Sequence, residues 1–285
     1  MFTMRVLRHF VRESYSQPAD VYAQLKRCGM DLVTITDHDS IDAAEPLRRH
    51  PDFFLSEEVT ATLPSGNEAH IGVYDITEKQ HLQIQRRRTD FFALLAYLSE
   101  RRIFASVNHI FSGLTGPRRA DDFDWFARGF AAFETRNGQL PAELNARAAR
   151  LAQSLGKTPL GGSDAHALCS AGRTWTEVRG ARTKQDFLDA LRAGAGHVGG
   201  EHGSYGKLTR DVFCITAGYM AEQPLAALLA PIALAIPFFT LSNYASEMLF
   251  ARRWSRQLAA AERSPALPAF SNAQMARVAM EGAAA

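Results

Sequence analysis

Cysteine is scarce in this chain and follows no recognisable pattern. The 285 residues include three cysteines, and Cys28, Cys169 and Cys214 lie far apart, with no Cys-x-x-Cys spacing. An odd number of isolated thiols argues against a disulfide framework and against a zinc site built from thiolates. The pattern is typical of a reducing compartment, and no signal peptide is evident at Met1, so we expect a cytoplasmic protein.

Excess charge of one sign is also lacking. The 32 Lys and Arg residues nearly balance the 30 Asp and Glu residues, which leaves a formal net charge of +2. A chain so close to neutrality lacks the strong positive field that is typical of nucleic-acid-binding proteins. We therefore expect no nucleic-acid partner, and we interpret the basic cluster at 86–88 as a solvated helix face.

Long apolar runs are scarce as well, with one exception at 224–241. This stretch is uncharged and approaches the roughly 20 residues that span a bilayer. Prolines, each of which removes a backbone donor, interrupt it and arginines follow it: Pro224, Pro231, Pro237, Arg252, Arg253 and Arg256. Two interpretations stay open, a membrane-associated segment and a helix packed on the domain or in a dimer interface.

The remaining sequence is that of a globular α/β protein. At 46% hydrophobic residues the chain can bury one sizeable core. Short β-branched runs alternate with amphipathic segments, which predict helices at 18–28, 91–98, 140–155 and 184–191. This alternation predicts a parallel sheet that is closed or partly closed into a barrel.

Acidic and histidine residues follow several of the strand-like runs. The run 33–36 ends in Asp37-His38-Asp39, and the run 158–163 ends in Asp164-Ala165-His166. In an α/β barrel the carboxyl ends of the strands meet at one mouth, where active sites lie. The pattern therefore predicts a metal site at that mouth, and the glycine-containing loop 111–117 is expected to be a flexible lid beside it.

Six residues are candidate metal ligands because they lie beside strand-like runs. They are His38, Glu58, His70, His109, Asp164 and His166. Imidazole and carboxylate without thiolate suit Zn, Mn or Fe, and this mixture often serves multinuclear hydrolytic centres. Any one of these histidines alone is more often a hydrogen-bonded structural residue, but their recurrence predicts a metal site or the remains of one.

The ordered series of motifs resembles the polymerase and histidinol phosphatase (PHP) family. The resemblance covers about Arg12 to Lys207, and the order of the motifs is more specific than any one of them. The matching segments are 13–18, 21–22, 29–31, 34–42, 56–60, 70–74, 108–109, 133–138, 162–166 and 172–174.

The resemblance implies a distorted (β/α)7 barrel, similar to a TIM barrel, that holds two or three divalent metal ions. It also implies hydrolysis of a phosphorylated small molecule by a metal-bound hydroxide, with the six candidates as ligands. Asp37 is a candidate for orienting a ligand or, alternatively, a strand-end cap. Arg173 could clamp the phosphate or be a surface residue, and His202 is a further substrate-binding candidate.

The sequence departs from the family in one respect. Members begin with a strand carrying a His-x-His pair that contributes two ligands, whereas this sequence has no such pair and His9 is its only earlier histidine. We interpret residues 1–12 as the remnant of an N-terminal insert and Met1 as an internal methionine. Truncation and degeneration of the first strand both stay open as explanations.

Either explanation predicts an incomplete ligand set, weak metal binding and slow hydrolysis of aryl phosphates. Residues 13–210 are expected to form the hydrolase domain, 211–258 an apolar helical segment, and 259–285 a weakly ordered tail. The alternative to an impaired phosphoesterase is a non-catalytic binding or scaffold module, held at a membrane through 224–241.

Overall fold

The computed structural model describes residues 12, 14–223, 225 and 230–261. Apart from Arg12, the expected N-terminal remnant lies outside these residues. So do Glu13, Pro224, residues 226–229 of the apolar run, and residues 262–285 of the expected tail.

A five-stranded sheet forms the centre of the fold, and its strands lie side by side in chain order. They are β1 (Ser56–Thr62), β2 (Glu68–Tyr74), β3 (Phe104–Val107), β4 (Ala132–Asn137) and β5 (Thr158–Gly162). A two-stranded antiparallel ribbon of β6 (Thr174–Glu177) and β7 (His197–Gly200) packs beside β5. Gly161 in β5 donates its N–H to the Thr176 hydroxyl at 2.8 Å, which joins the ribbon to the sheet.

The sheet is mixed, which corrects the expectation of a parallel sheet. The pairs β3–β4 and β4–β5 are parallel, but β1–β2 and β2–β3 are antiparallel. A short turn at 63–67, in which Gly66 has φ of +80°, connects β1 to β2, and a tight turn can join only antiparallel strands. Among the described residues the strands form an open sheet and a ribbon, so closure into a seven-stranded barrel stays a prediction.

The run 33–36 is less regular than its composition predicts. Within the segment 33–38, Val33 and His38 form isolated parallel bridges, to Phe53 and Glu58 respectively. These two bridges still place the segment along the free edge of β1. His38 therefore lies beside Glu58 without belonging to a full strand.

Helices cover the sheet, and the four predicted ones are present with ends shifted by a few residues. The α-helices are α1 (Pro18–Arg27), α2 (Glu78–Gln85), α3 (Phe91–Glu100), α4 (Ala120–Gly129), α5 (Ala142–Ser154), α6 (Lys184–Arg192), α7 (Tyr205–Glu222), α8 (Ala230–Ala233) and α9 (Ile236–Ala261). Short 3-10 turns occupy Glu45–Arg49 and Leu168–Ser170. Local chemistry sets some of these ends: Asp90 and Thr183 cap α3 and α6 through their side chains.

The core lies between the sheet and its helices. Val59, Ile71 and Phe133 on the sheet are fully buried with Leu94 of α3 and Leu144 of α5 in one continuous cluster. Burial of this apolar area is the main favourable contribution to folding. It fixes the strands whose polar residues form the candidate site.

The C-terminal helices are continuous with the domain. The expected boundary after residue 210 lies inside α7, where Asp211 is buried and accepts a hydrogen bond from Gln139 at 2.7 Å. On α9, Ala251 and Trp254 are buried in the main core, and the rings of Trp254 and Phe123 have centroids 5.3 Å apart.

The apolar run does not form one helix. Its described part is divided between α8 and the start of α9, where Pro237 occupies the first turn, a position that needs no backbone donor. Phe238 and Phe239 on this turn are exposed. Among the described helices, none combines the length and the apolar character that crossing a bilayer requires.

Two local expectations were wrong. Most of the loop 111–117 is buried, and Gly113 donates its N–H to both oxygens of Glu247 on α9 at 3.1 Å, so the loop is not a free lid. Residues 86–88 follow α2 rather than forming its solvated face, and Arg88 pairs with Asp39 at 2.9 Å.

The contact of α1 with the segment before β1 predicts a pH-dependent contribution to stability. Asp52 accepts hydrogen bonds from Lys26 and from the Tyr22 hydroxyl, each at 2.6 Å, and these two partners hold the pKa of Asp52 below its ordinary value. Because the pKa is depressed on folding, this stability is present above the unfolded pKa of about 3.9. It is lost as the pH falls through the lower folded value.

We expect Asp52→Asn to lower the free energy of unfolding by about 1 kcal/mol at pH 7. In acid, where Asp52 of the wild type is protonated, the variant and the wild type should be equally stable. Urea unfolding at several pH values measures it. The exposed variant Asp42→Asn is the matched control. A difference that stays constant down to low pH would contradict the assignment.

Candidate metal centre

The antiparallel pairing of β1 and β2 brings two of the predicted ligands together. Thr60 lies opposite His70 and Glu58 lies opposite Gly72, so the side chains of Glu58 and His70 share one face of the sheet as diagonal neighbours. Both residues lie inside strands rather than at strand ends. Gly72 leaves room for the hydroxyls of Tyr74 and Ser106, since a Cβ there would lie 2.9 Å from the Ser106 hydroxyl and closer still to that of Tyr74.

His38 approaches the same place from the edge of the sheet. The ligand atoms of His38, Glu58 and His70 all lie within 4.8 Å of one another. His70 Nδ1 is 3.2 Å from Glu58 Oε1, and His38 Nε2 is 4.0 Å from Glu58 Oε2. The Glu58 carboxylate is therefore the common neighbour of both imidazoles.

His38 is held in place by the residue that follows it. Asp39 has φ of +55°, an uncommon conformation for a residue with a side chain. Its N–H donates to the Glu58 carbonyl at 2.9 Å, and its carboxylate accepts from the Thr60 N–H at 2.9 Å and from Arg88. These hydrogen bonds hold the backbone next to His38 in place, although the segment forms no regular strand.

His109 joins this group from the end of β3. Its Nε2 lies 3.1 Å from Glu58 Oε1 and 3.0 Å from His70 Nδ1, while its Nδ1 is buried without a hydrogen-bond partner among the described residues. His109 has φ of +30°, and backbone strain of this kind is common at functional sites. Four of the six predicted ligands are thus gathered in one cluster.

The ionisable groups in this cluster shift one another's pKa values. Burial raises the pKa of Glu58, but hydrogen bonds with His109 and His70 outweigh it and hold that pKa well below its usual range. Burial lowers the pKa of His70. Burial has the same effect on His109, yet its hydrogen bond with Glu58 and the nearby carboxylates raise its pKa to about 9. Glu58 is therefore a carboxylate at neutral pH, with positive charge concentrated on His109.

Two buried residues that sequence reasoning had not assigned to the site connect it to β5. Glu134 on β4 accepts from the His109 N–H at 2.8 Å and from Asn137 Nδ2 at 3.0 Å, and burial raises its pKa to about 8. Asn137 Nδ2 also donates to Asp164 Oδ2 at 2.9 Å. An acidic residue inside an otherwise buried strand is the signal that could have identified Glu134.

Asp164 and His166 lie beyond this bridge rather than inside the compact group. Asp164 has φ of +46° at the end of β5. His166 Nδ1 is 3.0 Å from the Asp164 carbonyl oxygen and 3.8 Å from Asp164 Oδ1. His166 also lines a cavity of about 460 Å³ beside α7.

The remaining candidates lie in varied surroundings. Asp37 is exposed, and its backbone carbonyl accepts from the Glu58 N–H at 3.0 Å. Arg173 is also exposed, with its guanidinium 3.9 Å from Glu201. His202 Nδ1 lies 2.9 Å from the side-chain nitrogen of Asn145, and burial lowers its pKa.

A further residue that the sequence analysis did not assign orients the central carboxylate. Asn108 Nδ2 donates to Glu58 Oε1 at 3.1 Å, and its own Oδ1 accepts from the Ser106 hydroxyl at 2.8 Å. This relay fixes the amide so that its donor faces Glu58. Hydrogen bonds of this type to a ligand typically tune metal affinity.

The donor set fits a divalent cation. Imidazole nitrogens and a carboxylate converge within 4.8 Å, and that combination suits zinc, manganese and iron. The ring nitrogens of His70 and His109 that face each other at 3.0 Å share a proton in a hydrogen bond, and both lone pairs become available to a cation once that proton leaves.

The bridge through Asn137 predicts that Asp164 supports the centre. We expect Asp164→Ala to weaken metal binding about 10-fold, because its loss frees Asn137 and through it Glu134 and His109. Metal content after dialysis against limiting chelator measures the effect. Unchanged metal content would mean that Asp164 is structural.

Comparisons with known proteins agree with this fold. Residues 142–195 match the family model described as PHP-associated. The structure of PsfC from Pseudomonas syringae PB-5123 is similar at 18% identity, over 74% of this chain and 91% of that one, with a TM-score of 0.52. At this low identity the structural likeness shows a shared fold alone. No curated protein matches the chain in sequence.

Two other structures are more distantly similar. The lesion-specific endonuclease PfuEndoQ from Pyrococcus furiosus has 15% identity over 66% of this chain and 55% of that one, with a TM-score of 0.46. An amidohydrolase from Chromobacterium violaceum, with bound sulfate and no metal, has 15% identity over 62% of this chain and 92% of that one, with a TM-score of 0.47.

Proposed function

We propose that this chain, which belongs to the PHP domain family, is a metal-dependent phosphoesterase that acts on a phosphorylated small molecule. The observation that carries the proposal is the convergence of His38, His70 and His109 on one carboxylate, Glu58. His109 is buried and His38 and His70 are half-buried, and gathering imidazoles around a carboxylate in this way costs desolvation free energy, which is typical of functional sites.

His38, Glu58 and His70 would hold the cation, with His109 adjoining and Asp164 and His166 on the β5 side. Zinc, manganese or iron is the cation that this donor set favours. When bound, such an ion lowers the pKa of a water molecule and offsets the charge on phosphoryl oxygens.

Other residues of the chain position these groups. Asn108 aims Glu58, and Glu134 anchors the His109 backbone through its N–H. These hydrogen bonds hold Glu58 and His109 in position before a substrate binds. A site that is already ordered needs little rearrangement during the reaction, and this preorganisation is a large part of the rate enhancement in many enzymes. Asp37, beside His38, is proposed to orient a ligand.

Arg173 and His202 are proposed to bind the phosphate. They lie on adjoining segments, since the Glu201 N–H donates to the Arg173 carbonyl at 2.8 Å. An exposed guanidinium can offer two parallel donors to a phosphate. His202 lies within hydrogen-bond distance of Asn145, whose Oδ1 accepts from the backbone N–H of Asn137, so it connects to the bridge described above.

Turnover of aryl phosphates by the metal-loaded chain tests the proposal. We expect slow hydrolysis of an aryl phosphomonoester or phosphodiester that requires added Zn²⁺, Mn²⁺ or Fe²⁺, because the family's His-x-His pair is missing from the sequence. The rate should fall to background in Glu58→Gln and stay unchanged in Glu177→Gln, whose carboxylate is exposed on β6. Metal binding without any hydrolysis would favour the non-catalytic binding module instead.

A further inference from the structure

Two of the three thiols lie together on the surface, although the sequence separates them widely. Cys169 lies in the 3-10 turn Leu168–Ser170, and Cys214 lies in the middle of α7. Both are free and exposed, whereas Cys28 is half-buried. Both also line the same cavity of about 460 Å³.

Asp211 shows how close the two segments are. Cys169 Sγ donates to Asp211 Oδ1 at 3.6 Å, and Asp211 precedes Cys214 by one helical turn, on the same face of α7. The contact with Asp211 and the shared cavity therefore place Cys169 and Cys214 on neighbouring parts of one surface.

The turn that carries Cys169 is fixed against α7. The neighbouring Ser170 hydroxyl donates to Asp211 Oδ2 at 2.5 Å and accepts from Arg210 at 2.9 Å. Ser170 and Asp211 are both buried. The thiols are therefore held near one another by a buried network rather than by chance contact of two mobile loops.

The pair does not have the geometry of a metal site. Within the part of the chain that the structure describes, the compact group of three or more ligands is His38, Glu58 and His70, and neither cysteine belongs to it. Two adjacent free thiols without a third ligand are instead suited to oxidation to a disulfide.

We propose that Cys169 and Cys214 are a modification site that forms a reversible disulfide by exchange with a small-molecule disulfide. One protein thiolate attacks a sulfur of the reagent, which forms a mixed disulfide and releases one small thiol. The second protein thiolate then attacks the mixed disulfide and releases a second small thiol. Two protein thiols are oxidised, one reagent disulfide is reduced, and the two protons pass to the released thiols.

The crosslink would tie the turn that follows His166 to α7. It would therefore narrow the cavity that His166 and both cysteines line. Disulfide formation itself is independent of phosphoester hydrolysis, so the two proposals can succeed or fail separately.

Exchange of the full-length chain with oxidised glutathione tests the proposal. Burial, Cys169 and Asp211 raise the pKa of Cys214, so the reaction is best run at mildly alkaline pH, where more thiolate is present. We expect the number of reactive thiols measured in the denatured chain to decrease from three to one. We also expect a mass loss of about 2 Da, a crosslinked peptide joining Cys169 to Cys214, and full reversal by dithiothreitol.

Single variants distinguish this pair from general oxidation. Cys28→Ser should still form the crosslink, whereas Cys169→Ser and Cys214→Ser should each lose it and keep a glutathione adduct on the remaining surface thiol. The proposal is overturned if the wild type carries separate glutathione adducts on Cys169 and Cys214, or if Cys28 enters the crosslink.

Discussion

Glu58→Gln is expected to lower the affinity for Zn²⁺ or Mn²⁺ by about 100-fold or more. The Glu58 carboxylate lies 3.2 Å from His70 Nδ1 and 3.1 Å from His109 Nε2, and it supplies the negative charge of the three-residue group. Glutamine keeps the size of the side chain but removes that charge. It also directs amide protons at nitrogens that must bind the metal through their lone pairs.

Isothermal titration of the metal-free protein measures this effect. Glu177→Gln, on the exposed ribbon, removes the same charge far from the cluster and should bind like the wild type. Circular dichroism checks that Glu58→Gln is folded. If the folded variant binds metal as tightly as the wild type, Glu58 is not a ligand and the proposed centre is wrong.

Phe133→Ala is expected to lower the free energy of unfolding by about 3–5 kcal/mol. Phe133 is fully buried on β4, between Val107 of β3 and Pro159 of β5. Truncation leaves a cavity beneath the parallel part of the sheet, and the neighbouring strands cannot close it without breaking their pairing.

Urea denaturation measures the loss. Phe213→Ala on α7 is the control, since that ring is 41% exposed and its truncation should change stability by less than about 0.5 kcal/mol. Equal destabilisation by the two variants would contradict the placement of the core at β4.

The helices were the part of the fold that the sequence predicted best. The apolar spacing at 140–155 predicted the buried face of α5, where Leu144, Ala148 and Leu151 all lie in the core. Gly29, with φ of +83°, follows α1 where the pattern predicted an end. Such features depend on neighbours a few residues away, so a local pattern carries them.

Strand pairing was harder to predict from the sequence. The sequence identified the run ending at His109, but it did not predict that β1 and β2 form an antiparallel hairpin. Pairing depends on residues far apart in the chain and on turn geometry, which local composition specifies weakly.

The sequence by itself determined which groups were available: four histidines and two carboxylates beside strand-like runs, in the order of one family. Residue chemistry and chain order are local properties, so they can be identified without coordinates.

Only the tertiary structure decided which of them meet. It brings His38, Glu58, His70 and His109 into one cluster, places Asp164 behind the bridge of Glu134 and Asn137, and sets Cys169 and Cys214 along one cavity. The physical reason is that hydrophobic burial positions the strands and helices, and polar residues are carried to wherever their backbone is packed.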